Sequence, residues 1–193
     1  MTDLTRCAAI LAGGQATRFG GRDKSALLVD GRRILEHQMA ALAPAVDEVL
    51  IVGGPRATIH DIVPGCGPLG GLHAALTAAR GDAVLLVACD MPYLSTPLLA
   101  YLLSLATEAD VVVPRSERGY HPLCAVYTRA CLDPVAVRLA DRRLNMRELV
   151  DSMRTRVVPV DEIRRFGDPD RLLANVNTPA DYAGLEALQG HKL

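Results

Sequence analysis

The chain has no tryptophan and only two phenylalanines, although half of its residues are hydrophobic. Its core must therefore be aliphatic, built from Leu, Val, Ile and Ala. Five cysteines occur with no Cys-x-x-Cys pair. An odd number without close spacing makes neither a disulfide framework nor a zinc site. Cys7, Cys89 and Cys124 lie inside apolar runs and read as small buried hydrophobes. No basic excess is present: the formal net charge is −1, which argues against a general nucleic-acid binder. The longest apolar strand candidate, Ala83 to Cys89, is far too short to span a bilayer. The opening Met-Thr-Asp-Leu-Thr-Arg lacks a signal-peptide layout. The expectation is a cytoplasmic protein without membrane or nucleic-acid partners. Repeats, low-complexity tracts and linker-like stretches are missing too, so 193 residues are expected to form one domain, 1–193.

What is present is organised around the stretch from Cys7 to Lys24. Ala8 to Leu11 reads as a buried strand. It breaks at Gly13-Gly14, where a backbone without side chains can turn sharply and let a ligand approach. Arg18, Arg22 and Lys24 arrive around a second pair, Gly20-Gly21. Exposed amides and cations just past a strand suit a polyphosphate. The P-loop pattern fails, because Asp23 rather than Gly precedes Lys24-Ser25. The dinucleotide pattern fails as well, since the glycines have the wrong spacing. A glycine-rich turn with solvated charges is the plainer alternative.

Further along, Ile34, Leu35, Met39 and Leu42 recur at helical spacing up to Pro44. Val49 to Val52 reads as a strand ending in Gly53-Gly54-Pro55. Strand, helix, strand in this order implies a parallel sheet. A glycine loop, Pro64 to Gly71, runs into a helix carrying Leu69, Leu72, Leu76 and Ala79. That entry suits a phosphate or a sugar, or else tight packing of helix on sheet.

Ala83 to Cys89 is continuously apolar, as in a central parallel strand. It delivers Asp90 to the edge where ligands bind in such sheets; a turn-capping Asp is the alternative. Thr96 is placed as a helix cap before Pro97. Val111 to Pro114 and Leu123 to Tyr127 read as strands around a polar loop, which would make the sheet mixed. Residues 130–149 read as a helical region in which Arg129, Arg138, Arg142, Arg143 and Arg147 are mostly a solvated face. Arg156 to Val160 reads as a late strand, and Arg164 to Phe166 as a loop. Asn177 or Thr178 is a good N-cap for a closing helix.

Leu-Ala-Gly-Gly-Gln-Ala-Thr-Arg-Phe-Gly-Gly-Arg-Asp-Lys resembles the signature loop of nucleotidyltransferases with a glycosyltransferase-A-like fold. The Arg-Phe-Gly-Gly-x-Asp-Lys ending is most similar to the molybdenum cofactor guanylyltransferases. Gly-Pro-Leu-Gly-Gly, Cys-Asp-Met-Pro-Tyr, His121-Pro122 and Asn-Val-Asn-Thr-Pro carry the resemblance over most of the chain. It implies a three-layer α/β/α sandwich with a mostly parallel, mixed sheet, a Rossmann-like nucleotidyltransferase fold. It implies transfer of GMP from GTP to the terminal phosphate of molybdenum-bound molybdopterin, with release of pyrophosphate. Under it, Leu11, Ala12, Gly13 and Gly14 line the nucleotide with Gly53, Gly67 and Gly71. Arg18 and Lys24 neutralise phosphates, Asp90 holds Mg2+, and Asp61 reads guanine. Asn175 and Asn177 face the acceptor, which some of the five arginines would also meet. Transient contact with molybdenum-insertion or molybdoenzyme chaperone proteins belongs to the same expectation. Gly53 departs from the family pattern, where Asn often follows the second strand, so a base-reading hydrogen bond is lost. Competing readings are a cytidylyltransferase on the same cofactor, a sugar-phosphate nucleotidyltransferase, and a non-catalytic nucleotide-binding carrier.

Overall fold

The computed structural model describes residues 5–13 and 27–176. Strand β1 (Arg6–Leu11) is flanked by β4 (Glu48–Val52) and β5 (Ala83–Ala88), both parallel to it. Between β1 and β4 lie a small hairpin, β2 (Leu28–Val29) and β3 (Arg32–Arg33), and helix α1 (Ile34–Leu42). Between β4 and β5 lies α2 (Gly67–Ala78). Beyond β5, helix α3 (Thr96–Ser104) leads to β6 (Val111–Ser116), β7 (Gly119–Tyr120) and β8 (Cys124–Thr128). Helices α4 (Leu132–Ala140) and α5 (Met146–Ser152) precede β9 (Thr155–Val158), α6 (Val160–Ile163) and α7 (Pro169–Leu172).

The main sheet runs β4-β1-β5-β8-β6-β7, with β9 also on β6. β8 is antiparallel to both neighbours, and β6 pairs β9 in parallel. The sheet is thus mixed, as the hairpin-like return after β6 suggests.

Side-chain alternation explains the three layers. Cys7, Ala9 and Leu11 of β1, Val84 and Leu86 of β5, and Ala125 and Tyr127 of β8 enter one core, with α2, α4 and α5. Ala8 and Ile10, Leu85 and Val87, and Cys124 and Val126 enter the other, with α1 and α3. Each central strand is buried on both faces, which is why the sequence shows runs rather than alternation. Burial pushes the thiols of Cys7 and Cys124 up to about 12. None of the five cysteines is in a disulfide.

Several boundaries differ from the sequence expectations. Ser95, not Thr96, is the N-cap of α3, and the Thr96 hydroxyl instead donates to Ala41 O at 2.8 Å, tying α3 to α1. The stretch 130–149 is not one helix: it breaks after Ala140, where Arg142 has a positive φ of 57°. β9 stops at Val158, since Pro159 caps α6. Arg164 to Phe166 is a single 3-10 turn. The β2–β3 hairpin turns on Asp30-Gly31, both with positive φ. Asp-Gly at such a turn is a standard hairpin signal that the helical periodicity of the following residues obscured. Among the described residues, no helix is long and apolar enough to cross a membrane.

Candidate active site

The carboxyl ends of β1, β4 and β5 come together in register, Leu11 facing Val52 on one side and Ala88 on the other. The chain leaves β1 for β4 by way of α1 on one face and reaches β5 by way of α2 on the opposite face. This divergence opens the crevice in which ligands of such sheets bind.

The loops after β1 and β4 meet backbone to backbone. Val52 O accepts from Ala12 N at 2.9 Å and from Gly13 N at 3.1 Å. A Cβ on Gly53 would lie 3.0 Å from Gly13 Cα, and Gly53 has φ +69°. Gly53 is thus a packing and backbone requirement here. The N–H groups of Ala12 and Gly13 are spent inside the fold, so this part of the loop offers shape and carbonyls rather than amide donors. Gly14, Arg18 and Lys24, and Asn177 at the other end, lie outside the described residues.

The segment after Gly54 turns back alongside β4. Ile59 bridges Val52, and the Thr58 hydroxyl lies 2.8 Å from Ile51 N. That places half-buried Asp61 beside the start of α2, its Oδ2 3.8 Å from where a Gly70 Cβ would be. Burial raises its carboxyl above the ordinary range, and neighbouring His60 partly opposes the rise. Gly67 opens α2 with φ +56° and open space where a Cβ would stand. Gly71 is buried: a Cβ there would come within 2.6 Å of Leu11 Cδ2. Its missing side chain serves helix-on-sheet packing, the alternative held open for this loop.

Asp90 lies in the turn after β5, two residues past Ala88, and is 9% exposed. Asn175 Nδ2 donates to its Oδ1 at 2.8 Å, and Val176 N donates to its backbone carbonyl at 2.8 Å. Asn175, expected to face the acceptor, lies on the Asp90 carboxylate. The guanidinium of Arg171 lies 4.6 Å from the ring centroid of Tyr93, three residues past Asp90. Ala88 N donates to Leu123 O, so the His121–Leu123 segment borders the same edge. His121 Nε2 lies 2.7 Å from Ser116 Oγ. Burial first, then Arg118 and Arg147, lowers the pKa of the imidazole.

Of the five arginines, two are plainly structural. Arg138 is buried and donates to Glu148 O at 2.8 Å, and Arg129 donates to Ala79 O at 2.8 Å. Arg142 reaches Cys66 Sγ at 3.4 Å, at the mouth of α2. Arg143 pairs with Asp141 on the surface.

The sequence matches the family model of the MobA-like NTP transferase domain over residues 8–157, a range that includes Asp61 and Asp90. The chain belongs to this family. As a MobA-like NTP transferase it is 34% identical to a probable molybdenum cofactor guanylyltransferase of Pelotomaculum thermopropionicum, across 89% of this chain and 87% of that one. It is 32% identical to the molybdenum cofactor guanylyltransferase of Vibrio cholerae, across 93% and 90%. The solved structure of molybdopterin-guanine dinucleotide biosynthesis protein A from Archaeoglobus fulgidus shares the fold, with TM-score 0.83 and 22% identity, covering 95% of this chain and 98% of that one. A Mycobacterium tuberculosis protein crystallised with manganese also shares it, with TM-score 0.68, 18% identity and coverage of 94% and 97%.

The donor set fits a divalent ion carried by the nucleotide. Among the described residues, no group of three or more His, Cys, Asp or Glu is arranged to hold a metal. A divalent ion carried by a nucleotide needs no such cage, because Mg2+ is usually held by one or two carboxylates with phosphate oxygens and water completing its shell. Asp90, oriented by Asn175, is a carboxylate of that kind.

Proposed function

We propose that the chain transfers GMP from GTP to the terminal phosphate of molybdenum-molybdopterin, releasing pyrophosphate, and that residues 1–193 act as one unit. The observation that carries the reading is Asp90, clasped by Asn175 at the carboxyl end of a central strand in the family's crevice. The names of the relatives supply the substrates.

In-line displacement at the α-phosphorus needs positioning and charge neutralisation more than a covalent nucleophile. Arg18 and Lys24 neutralise the triphosphate and the departing pyrophosphate. Asp90 would hold Mg2+, which when bound screens phosphate charge and polarises the reacting oxygens. Asn175 keeps the Asp90 carboxylate oriented. Asp61, when ionised, accepts from the N1–H and amino group of guanine. Leu11, Ala12, Gly13, Gly14 and Gly53 form the nucleotide floor, with Gly67 at its rim. Asn177 faces the acceptor, and molybdoenzyme or molybdenum-insertion proteins are its transient partners.

Pyrophosphate release from GTP, CTP and ATP, each with molybdopterin and Mg2+, tests this. The expected outcome is turnover with GTP well ahead of the others. CTP in the lead would favour the cytidylyl reading, and nucleotide binding without turnover would favour the carrier.

A further inference from the structure

The turn carrying Asp90 is gripped from below by a residue that the helical pattern hides. Gln38 lies in α1 where the sequence shows only a polar position, yet it is 0% exposed. Its Nε2 lies 2.6 Å from Ala88 O and 3.2 Å from Met91 O. Both partners are acceptors, so the amide must present its two N–H donors to them. Ala88 and Met91 bracket the Cys89-Asp90 turn and are themselves buried. The remaining amide oxygen, Gln38 Oε1, is buried without a partner. A Leu or Met would fill this volume without that orphan but would deny the Ala88 and Met91 carbonyls this donor, so volume alone does not account for Gln38.

We propose that Gln38 is a positioning residue for the Asp90 carboxylate. Bridging the carbonyls two residues before and one residue after Asp90 fixes the turn. Asn175 and Val176 then grip Asp90 from the other side. With both sides held, the carboxylate stays in the orientation a nucleotide-bound divalent ion requires, and entropy need not be spent on ordering it at each turnover. This inference rests on the reading of Asp90 as the metal carboxylate.

The experiment measures Mn2+ affinity by electron paramagnetic resonance with a non-hydrolysable GTP analogue present. It compares the parent, Asp90→Asn, Gln38→Met and the double variant, with melting temperature and turnover followed in parallel. Gln38→Met should weaken Mn2+ binding about tenfold, the low end for groups supporting a metal ligand. Affinity for the analogue without metal should be unchanged. In the Asp90→Asn background, Gln38→Met should leave the residual turnover where it was, because its effect passes through Asp90. Wild-type Mn2+ affinity in Gln38→Met, even with a lowered melting temperature, would make Gln38 merely structural and overturn the proposal. So would a further multiplicative loss in the double variant. If Asp90→Asn binds Mn2+ like the parent, the Asp90 reading fails and this one falls with it. Should Gln38→Met not fold, Gln38→His keeps one ring N–H toward the carbonyls and should bind with intermediate affinity. Wild-type affinity there would equally overturn the inference.

Discussion

At the scale of single residues, two carboxylates at the same edge are held in contrasting ways. Asp90 is gripped by an amide donor, whereas Asp61 is half-buried with its proton affinity raised by desolvation. Asp90→Asn keeps an oxygen for Asn175 to donate to, so the fold should survive. Turnover should fall at least about a hundredfold, roughly 3 kcal/mol of transition-state stabilisation. Pyrophosphate release in Mg2+ measures this, and near-parental rates would remove Asp90 from the metal. For Asp61 the sign is the reverse of that for a salt-bridged acid. Its folded pKa exceeds the unfolded value, so the folded state binds the proton more tightly. Ionisation therefore costs stability as pH rises through the unfolded and then the folded value. Asp61→Asn should melt higher than the parent at neutral pH, with the gain vanishing toward acid where both carry a neutral group. The same variant should lose about ten- to a hundredfold of its preference for GTP over ATP, since one charged hydrogen bond is worth roughly 1.5–3 kcal/mol. Unchanged preference would move base reading to the Leu11–Gly13 backbone.

At the scale of elements, the ends of β1 and β4 form a backbone contact that leaves no room for a side chain. Gly53 has a left-handed backbone, and its Cβ would meet Gly13 Cα at 3.0 Å and Gly13 N at 3.2 Å. Neither neighbour is a flexible side-chain end, so the strain cannot be relieved by a rotamer change. Gly53→Ala should cost about 1–2 kcal/mol from the left-handed conformation alone, with the backbone contact adding to it. Urea denaturation reads this directly, and a variant as stable as the parent would mean that the two loops part easily. The same contact gives a structural reason for Gly53, the residue that departs from the family pattern. Asn tolerates a left-handed backbone, but its Cβ would still press on the Gly13 loop.

For the molecule as a whole, the carboxyl-terminal segment is tied back onto the sheet at points far from one another. Val176 and Asn175 reach Asp90. Tyr101 of α3 donates to Glu162 at 2.5 Å, and Arg156 of β9 pairs with the same carboxylate at 2.9 Å. The Tyr101 hydroxyl is the first cause holding the Glu162 carboxyl below its ordinary value. A depressed folded pKa contributes stability that is present above the unfolded value and lost as pH falls through the folded one. Glu162→Gln should therefore melt lower than the parent at neutral pH, by no more than about 1 kcal/mol for groups this close to solvent. The difference should close below the ordinary glutamate range. A gap that persisted in acid would point to packing rather than charge.

The main strands and the end of the sheet that carries the chemistry were legible from local signals, whereas the β2–β3 hairpin and the break after Ala140 were not. Continuous apolar runs mark strands buried on both faces, and glycine pairs and a lone Asp after such runs mark the ligand edge. Asp90 could be named that way, and the family motif raised it above an ordinary turn; Asp61 and Asn175 were named only by the resemblance to the family. Tertiary structure decided what contacts each residue makes. Gly71 reads in sequence either as ligand space or as tight helix packing, and Leu11 fills the space where its side chain would be. Arg138 reads as a solvated charge, but it is buried against Glu148 O and Ser152 Oγ. Gln38 reads as one polar position on a helix, but it lies 50 and 53 residues in sequence from the carbonyls it joins. Periodicity reports the face on which a residue sits. Only the packing of distant segments determines which backbone groups a side chain must satisfy there.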